Sequence, residues 1–258
     1  MFDLSKLSPA IRDQIQASPK YRDWFSRKPA KMLGLDTNAK VIKGNKLGFK
    51  TAILYLTPAN GSGVQVCPMA ALALCEAPCL NTAGRGAQTT TQMSRLWRTL
   101  FLQQFEAEAL AMITREIRML EKRAVKQGWQ LLVRLNGTSD LRWENMGIIE
   151  AFPDVQFYDY TKLSNRRNVP ANYDLTFSYS GAKAYQRNLA IARAAGMRIA
   201  VVFRNRATSE RYMAQGFQGL ACVDGDDTDI RHLDPKGAAV ALYAKGAAKK
   251  DVSGFVVD

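Results

Sequence analysis

Short apolar runs rich in β-branched and aromatic residues recur along most of this chain, and nearly all of them end in polar residues. TAILYLTP (51–58), WQLLVRLNGTSD (129–140), VQFYDYTK (155–162), YDLTFSYS (173–180), MRIAVVFRN (197–205), LACVDGDD (220–227) and AAVALYAK (238–245) form the series. A strand that is apolar on both faces needs cover on both, as parallel sheets have. Helical patterns fall between several of these runs. Leu96, Leu100, Ile113, Ile117 and Leu120 repeat at spacings of 3 and 4 in the two halves of one long helix predicted over 90–127, closed by Gly128. A second helix is predicted over 182–195, closed by Gly196, and a short one behind the 197–205 run. The series predicts an α/β protein. Reactive side chains of β/α barrels sit at the C-terminal strand ends, so the polar endings point to one active face. The linker 163–172 is too short for a standard helix, so the predicted form is a partial or irregular (β/α) barrel over 49–258.

Ahead of it lies an N-terminal helical, basic extension, residues 1–48. Ser8-Pro9 and Ser18-Pro19 each read as an N-cap followed by proline at the first helical position. Residues 29–48 show no clear period and read as a connector. Residues 1–50 hold eleven Lys or Arg against four Asp, so this fifth of the chain supplies +7 of a net +13. Such a balance points to an anionic partner, nucleic acid or another polyanion, met through the basic N-terminal region. A hydrophobic content of 47% excludes a disordered chain, no apolar run spans a bilayer, and no secretory leader is visible. The expected setting is the cytoplasm, with no membrane partner.

Three of the four cysteines fall in VCPMAALALCEAPCLNTAGRG (66–86), at a C-x7-C-x3-C spacing. A disulfide framework distributes its cysteines along a secreted chain. Clustered thiols instead suit soft metals, and iron–sulfur clusters above all. Zinc sites favour closer cysteine pairs and histidine partners, whereas the one histidine is His232. Small buried cysteines on an ordinary helical turn are the plain alternative. The leading expectation is a 4Fe–4S cluster held by Cys67, Cys75 and Cys79. A fourth ligand is sought at other strand ends. Cys222 has the right chemistry but lies in the apolar run LACV; Asp140 closes the polar NGTSD turn.

That turn also brings Asn136, Thr138, Ser139 and Glu144 around one glycine. FYDYTK sets Asp159 and Lys162 beside two tyrosines. Ser178 and Arg204 end later runs, and Asp224 and Asp226 begin a span of five aspartates that does not fit a calcium loop. A turn paired with Arg231 is the plain reading of those acids, and His232 reads as a surface residue. No phosphate-binding G-x4-G-K-[ST] loop, strand-linked G-x-G-x-x-G or nucleophile elbow is present.

The ordered set CPMAALALCEAPCLNTAGRG, VRLNGTSDLRWEN, FPDVQFYDYTK, NYDLTFSYS, VVFRN and VDGDDTDIRHLDPKGAAVALYAKG resembles the gene-product-88 family of bacteriophages, also known as a ShiLan-like iron–sulfur domain, from about residue 30 to the C-terminus. The resemblance implies a phage or mobile-element setting, a cluster on Cys67, Cys75 and Cys79, and Asp140 as a non-cysteine ligand, but no reaction; the expected role is redox, sensing or nucleic-acid-associated, with a host protein as a further partner. A looser resemblance is to radical S-adenosylmethionine barrels, where NGTSD stands in place of the turn that binds the methionine amine. It implies an enzyme using S-adenosylmethionine at an open iron. The C-x7-C-x3-C spacing departs from that family's CxxxCxxC, and Ala77-Pro78 replace its aromatic residue. A third alternative is a DNA-binding accessory protein with a structural cluster.

Overall fold

The computed structural model describes residues 2–258. Both Ser-Pro pairs start helices. In α1 (Pro9–Ala17) the Ser8 hydroxyl accepts from the Ile11 amide; in α2 (Pro19–Ser26) Ser18 accepts from Tyr21. The connector then holds a strand that its sequence does not announce. β1 (Leu33–Leu35) pairs antiparallel with β2 (Phe49–Leu54), with α3 (Ala39–Lys43) between them. Three residues are too few to show a period. The Glu116 carboxylate fixes this segment instead, accepting from the Met32 and Leu33 amides at 2.9 and 2.8 Å.

The predicted long helix is two. α4 (Thr89–Gln104) and α5 (Glu106–Gln127) meet at Phe105, whose φ of −137° and ψ of 52° leave the helical range. Phe105 lies 5.5 Å from the Phe2 ring and 6.0 Å from Phe101, edge-on and tilted, so burying its ring fixes the bend. Gly128 ends α5 at φ +69°, where a side chain would be strained.

The remaining strands follow the predicted runs: β3 (Gln130–Arg134), β4 (Gln156–Thr161), β5 (Tyr173–Ser178), β6 (Arg198–Phe203), β7 (Cys222–Asp224) and β8 (Ala239–Tyr243). α6 (Gln186–Ala194) and α7 (Arg206–Gln215) flank β6 in sequence. Among the described residues there are eight strands and seven α-helices, in the order β1-β2-β3-β4-β5-β6-β8-β7, parallel except for β1–β2. The sheet does not close; β1 and β7 are its edges. One large core joins Phe2, Leu7, Ile15 and Phe25 of the N-terminal segment to β2, β3, α4 and α5, and a second lies around β5, β6, β8 and α6.

A strap between β7 and β8 bridges the two sides of the sheet. Asp229 accepts from Arg134 of β3 at 2.5 Å and from the Tyr160 hydroxyl of β4 at 3.4 Å. Lys40 of α3 lies 3.7 Å from Asp226 and 3.8 Å from Asp229. Ile230 packs with Leu132, Tyr158 and Phe49. The aspartate-rich span is therefore this strap, with Asp226 and Asp229 paired to cations of other elements; Arg231 takes Asp234 at 3.0 Å. His232 is half-buried between the Phe49 and Tyr158 rings rather than a surface residue.

Candidate functional site

The NGTSD turn leaves β3 pressed against the end of β2. The Gly137 amide donates to Leu54 O at 3.0 Å, and a Cβ there would stand 2.7 Å from that same oxygen and 2.6 Å from Ile53 Cγ2. Only glycine fits. Next to it the Thr138 hydroxyl donates to Leu56 O, and the Asp140 amide donates to Val66 O at 2.8 Å. The thiol-bearing loop is thus seated on this turn. Cys67 Sγ accepts from the Ala59 amide at 3.4 Å and donates to Thr138 O at 3.8 Å.

Asn136 organises the turn. Its Oδ1 accepts from the Ser139 hydroxyl, the Leu141 amide and the Trp143 indole at 2.9, 2.9 and 3.2 Å, and its Nδ2 donates to Leu141 O at 3.0 Å. Behind it, Asp159 accepts from the Leu135 and Asn136 amides and from the Tyr173 hydroxyl. Burial pushes the Asp159 carboxyl up to about 6, against Arg134 and those hydrogen bonds.

Asp140 is equally occupied. It accepts from the Thr161 hydroxyl at 2.8 Å and the Lys162 amide at 2.7 Å, with Arg166 at 3.5 Å. Burial raises its pKa all the same. Arg166 in turn pairs through two nitrogens with Glu144. Lys162 is buried with its amine donating to Ser178 O, Ser178 Oγ and Tyr179 O at 3.0, 2.9 and 2.9 Å, beside the Tyr185 and Phe255 rings. Burial pulls it down to about 8, opposed by Cys75 and Asp140.

Seven of the predicted residues therefore gather with Cys67 at the ends of β3, β4 and β5: Asn136, Thr138, Ser139, Asp140, Asp159, Lys162 and Ser178. Cys75 and Cys79 lie within electrostatic range of Cys67, and Cys75 also of Asp140 and Lys162; the remaining predicted residues lie elsewhere. Arg204 binds the C-terminal Asp258, at 2.6 Å. Asp226 pairs with Lys245 at 2.6 Å, and Asp224 is exposed beside it, accepting from the Asp226 amide. Cys222 sits in edge strand β7, bordering a groove lined by Met213, Gly216 and Leu220. Arg134, Asp229 and Arg166 were not among the predicted residues. The Arg166-Arg167 pair in an otherwise polar linker was the available signal for the last.

The cluster expectation does not hold. Among the described residues no group of three or more His, Cys, Asp or Glu side chains is arranged to hold a metal ion. Cys75 packs against Ala244, Ala248, Phe255 and Val256, while Cys79 caps the following turn, accepting from the Asn81 amide at 3.5 Å. Burial pushes the Cys67 thiol up to about 12 and raises Cys75 and Cys79 as well. Asp140 is engaged by the Thr161 hydroxyl and the Lys162 amide, with Arg166 Nη1 at 3.5 Å. The reading of a 4Fe–4S protein on Cys67, Cys75, Cys79 and Asp140 is corrected accordingly. The radical-enzyme alternative, which needs an open iron on those thiols, and the structural-cluster alternative fall with it.

The elements define an α/β protein with an open, mostly parallel sheet, a thiol loop seated on a glycine turn, and a buried hydrogen-bonded polar network at the strand ends. The family model of gene product 88 matches residues 30–258, and the chain belongs to that family. No curated protein and no solved structure matches it. No helix among the described residues is long and apolar enough to cross a membrane.

Proposed function

We propose that this protein binds nucleic acid through the phosphate backbone, with the outer face of α5 and the adjoining N-terminal segment as the binding surface. The carrying observation is where the charge lies. Six buried carboxylates (Glu116, Asp140, Glu144, Asp159, Asp229 and Asp251) stand against five buried cations (Arg95, Arg134, Lys162, Arg198 and Arg231). The interior is thus close to neutral, and the net +13 belongs to the surface. On α5 the exposed residues Arg115, Arg118, Lys122 and Lys126 follow one another at spacings of 3, 4 and 4, which puts them on one helix face, opposite buried Ile113, Ile117 and Ala124. They span about 16 Å at the helical rise. Lys28 binds Glu108, and the Met32 and Leu33 amides bind Glu116, so the exposed Lys31 lies on a segment packed along the same helix. Other N-terminal cations are engaged within the protein: Arg27 with Asp23, and Lys40 with Asp226 and Asp229. The α5 stripe adds to the exposed cations that the extension keeps outside ion pairs, Lys6, Lys20 and Lys46 among them.

Counterion release makes backbone binding weaken linearly with the logarithm of salt, with a slope of about −0.9 per phosphate neutralised in duplex DNA. Fluorescence anisotropy with a labelled duplex across a salt series tests the proposal. The parent protein should show a steep slope. Replacing Arg115, Arg118, Lys122 and Lys126 together by Gln should flatten it by about 0.9 for each phosphate no longer neutralised, with the circular dichroism spectrum unchanged. A parent that does not bind, or a variant with the parental slope, sinks the proposal.

A further inference from the structure

Arg95 of α4 carries its charge where the protein supplies no counter-charge. It is 8% exposed. The other buried arginines, Arg134, Arg198 and Arg231, each lie against an aspartate. Arg95 has only the Tyr55 hydroxyl and the Cys79 thiol, and no carboxylate, to favour its charged form. Nη1 donates to Asn81 Oδ1, while Nε is buried without any hydrogen-bond partner. The guanidinium stands over the Tyr55 ring, 4.9 Å from its centroid.

Helical side chains lean toward the N-terminus, and Arg95 follows that lean. A Cβ on Gly86 would stand 3.4 Å from Nη1, so the guanidinium lies under the turn that leads into α4. That helix begins without a cap: Gln88 makes no side-chain capping bond, and the first turn holds no acidic residue. The Thr89, Thr90 and Thr91 amides are left for an outside acceptor. Just before them come Gly84, at φ +52° with open space around it, and the exposed Arg85. Uncapped helix amides attract anions, and a guanidinium binds phosphate oxygens through two parallel hydrogen bonds.

We propose that residues 81–91 and Arg95 form a site for the phosphate group of a small ligand. Asn81 and Gly86 hold the guanidinium in place, and the α4 amides and Arg85 complete the oxyanion's shell. The site is separate from the α5 stripe and stands or falls independently of it.

Phosphorus-31 line broadening and thermal shift test this with three probes: inorganic phosphate, adenosine monophosphate and a thymidine dinucleotide that carries only a phosphodiester. Inorganic phosphate should broaden and raise Tm. Tighter binding of the monophosphate assigns the site to phosphorylated small molecules, and equal binding assigns it to free phosphate. Arg95→Met should abolish both responses, yet unfold no earlier than the parent in phosphate-free buffer, because it removes a buried charge without a partner. Arg95→Lys, which keeps the charge and loses the fork, should bind about tenfold more weakly. The α5 quadruple variant should bind phosphate like the parent. No response to inorganic phosphate and adenosine monophosphate, binding of the dinucleotide alone, or phosphate binding that survives Arg95→Met overturns the proposal.

Discussion

Lys162 shows how completely single side chains are used at the strand ends. Its amine is surrounded by three oxygens from Ser178 and Tyr179, which makes it a cross-brace between the ends of β4 and β5. Lys162→Met would take the amine donor from all three acceptors, and should destabilise the fold by about 1–3 kcal/mol, read as a shift of the urea midpoint at constant m. A loss under about 1 kcal/mol would mean that the amine braces nothing. His232 gives a pH-dependent counterpart. Burial, then Arg198 and Lys236, pull it down to about 4 from an ordinary 6.5, and its Nδ1 is buried without a partner. Between these values the unfolded chain takes up a proton that the folded one refuses, so stability falls as pH falls from about 6.5 to about 4. Asp159, raised to about 6, has the opposite sign over part of that window and is shared by parent and variant. His232→Phe should therefore lose less Tm than the parent between pH 7 and pH 4.5. Equal losses would rule out a neutral buried imidazole.

At the scale of elements, the parallel strands were legible because each had to be apolar on two faces and could not hide that requirement. The Ser-Pro helix starts were legible for a local reason: cap and proline are adjacent in sequence. β1 was not, since its three residues are too few to show a period and its start is held by Glu116, which lies more than eighty positions away. The bend at Phe105 was hidden because apolar spacing continues through it, and only the ring's packing on Phe2 and Phe101 reveals it. The strand ends show the same division. Asn136 to Asp140, Asp159 and Lys162 stood out as polar residues after apolar runs, and they do meet. The sequence could not say whether their lone pairs were free or already taken, and that is what separated a ligand set from a structural network. Gly137 makes the seam between two elements testable. Gly137→Ala drives a methyl into Leu54 O and Ile53, and should destabilise by about 1–3 kcal/mol in urea unfolding. An unchanged midpoint would show that β2 and the turn are free to separate.

At the scale of the whole molecule, the strap between β7 and β8 ties together parts that the sheet alone keeps apart. Burial pushes the Asp229 carboxyl up, but Arg134 and Lys40 outweigh it and hold it below the ordinary range. Its contribution is present above the unfolded pKa and is lost in strong acid, as pH falls through the folded value. Asp229→Asn breaks the tie to Arg134 and should destabilise by about 3–5 kcal/mol. Hydrogen exchange should rise together in 225–234 and in the α3 segment 36–47. A rise confined to the strap would show that α3 does not depend on it.

The same strap orders events in time. Lys43 donates to Asp226 O, 183 positions further along, and Lys40 awaits Asp229 from the same late stretch. During synthesis, α3 and β2 leave the ribosome long before their partners exist. Pairings of such long sequence separation close late and slowly. The face that the strap covers, with Phe49, Leu132 and Tyr158, stays bare until residues 226–234 have been made.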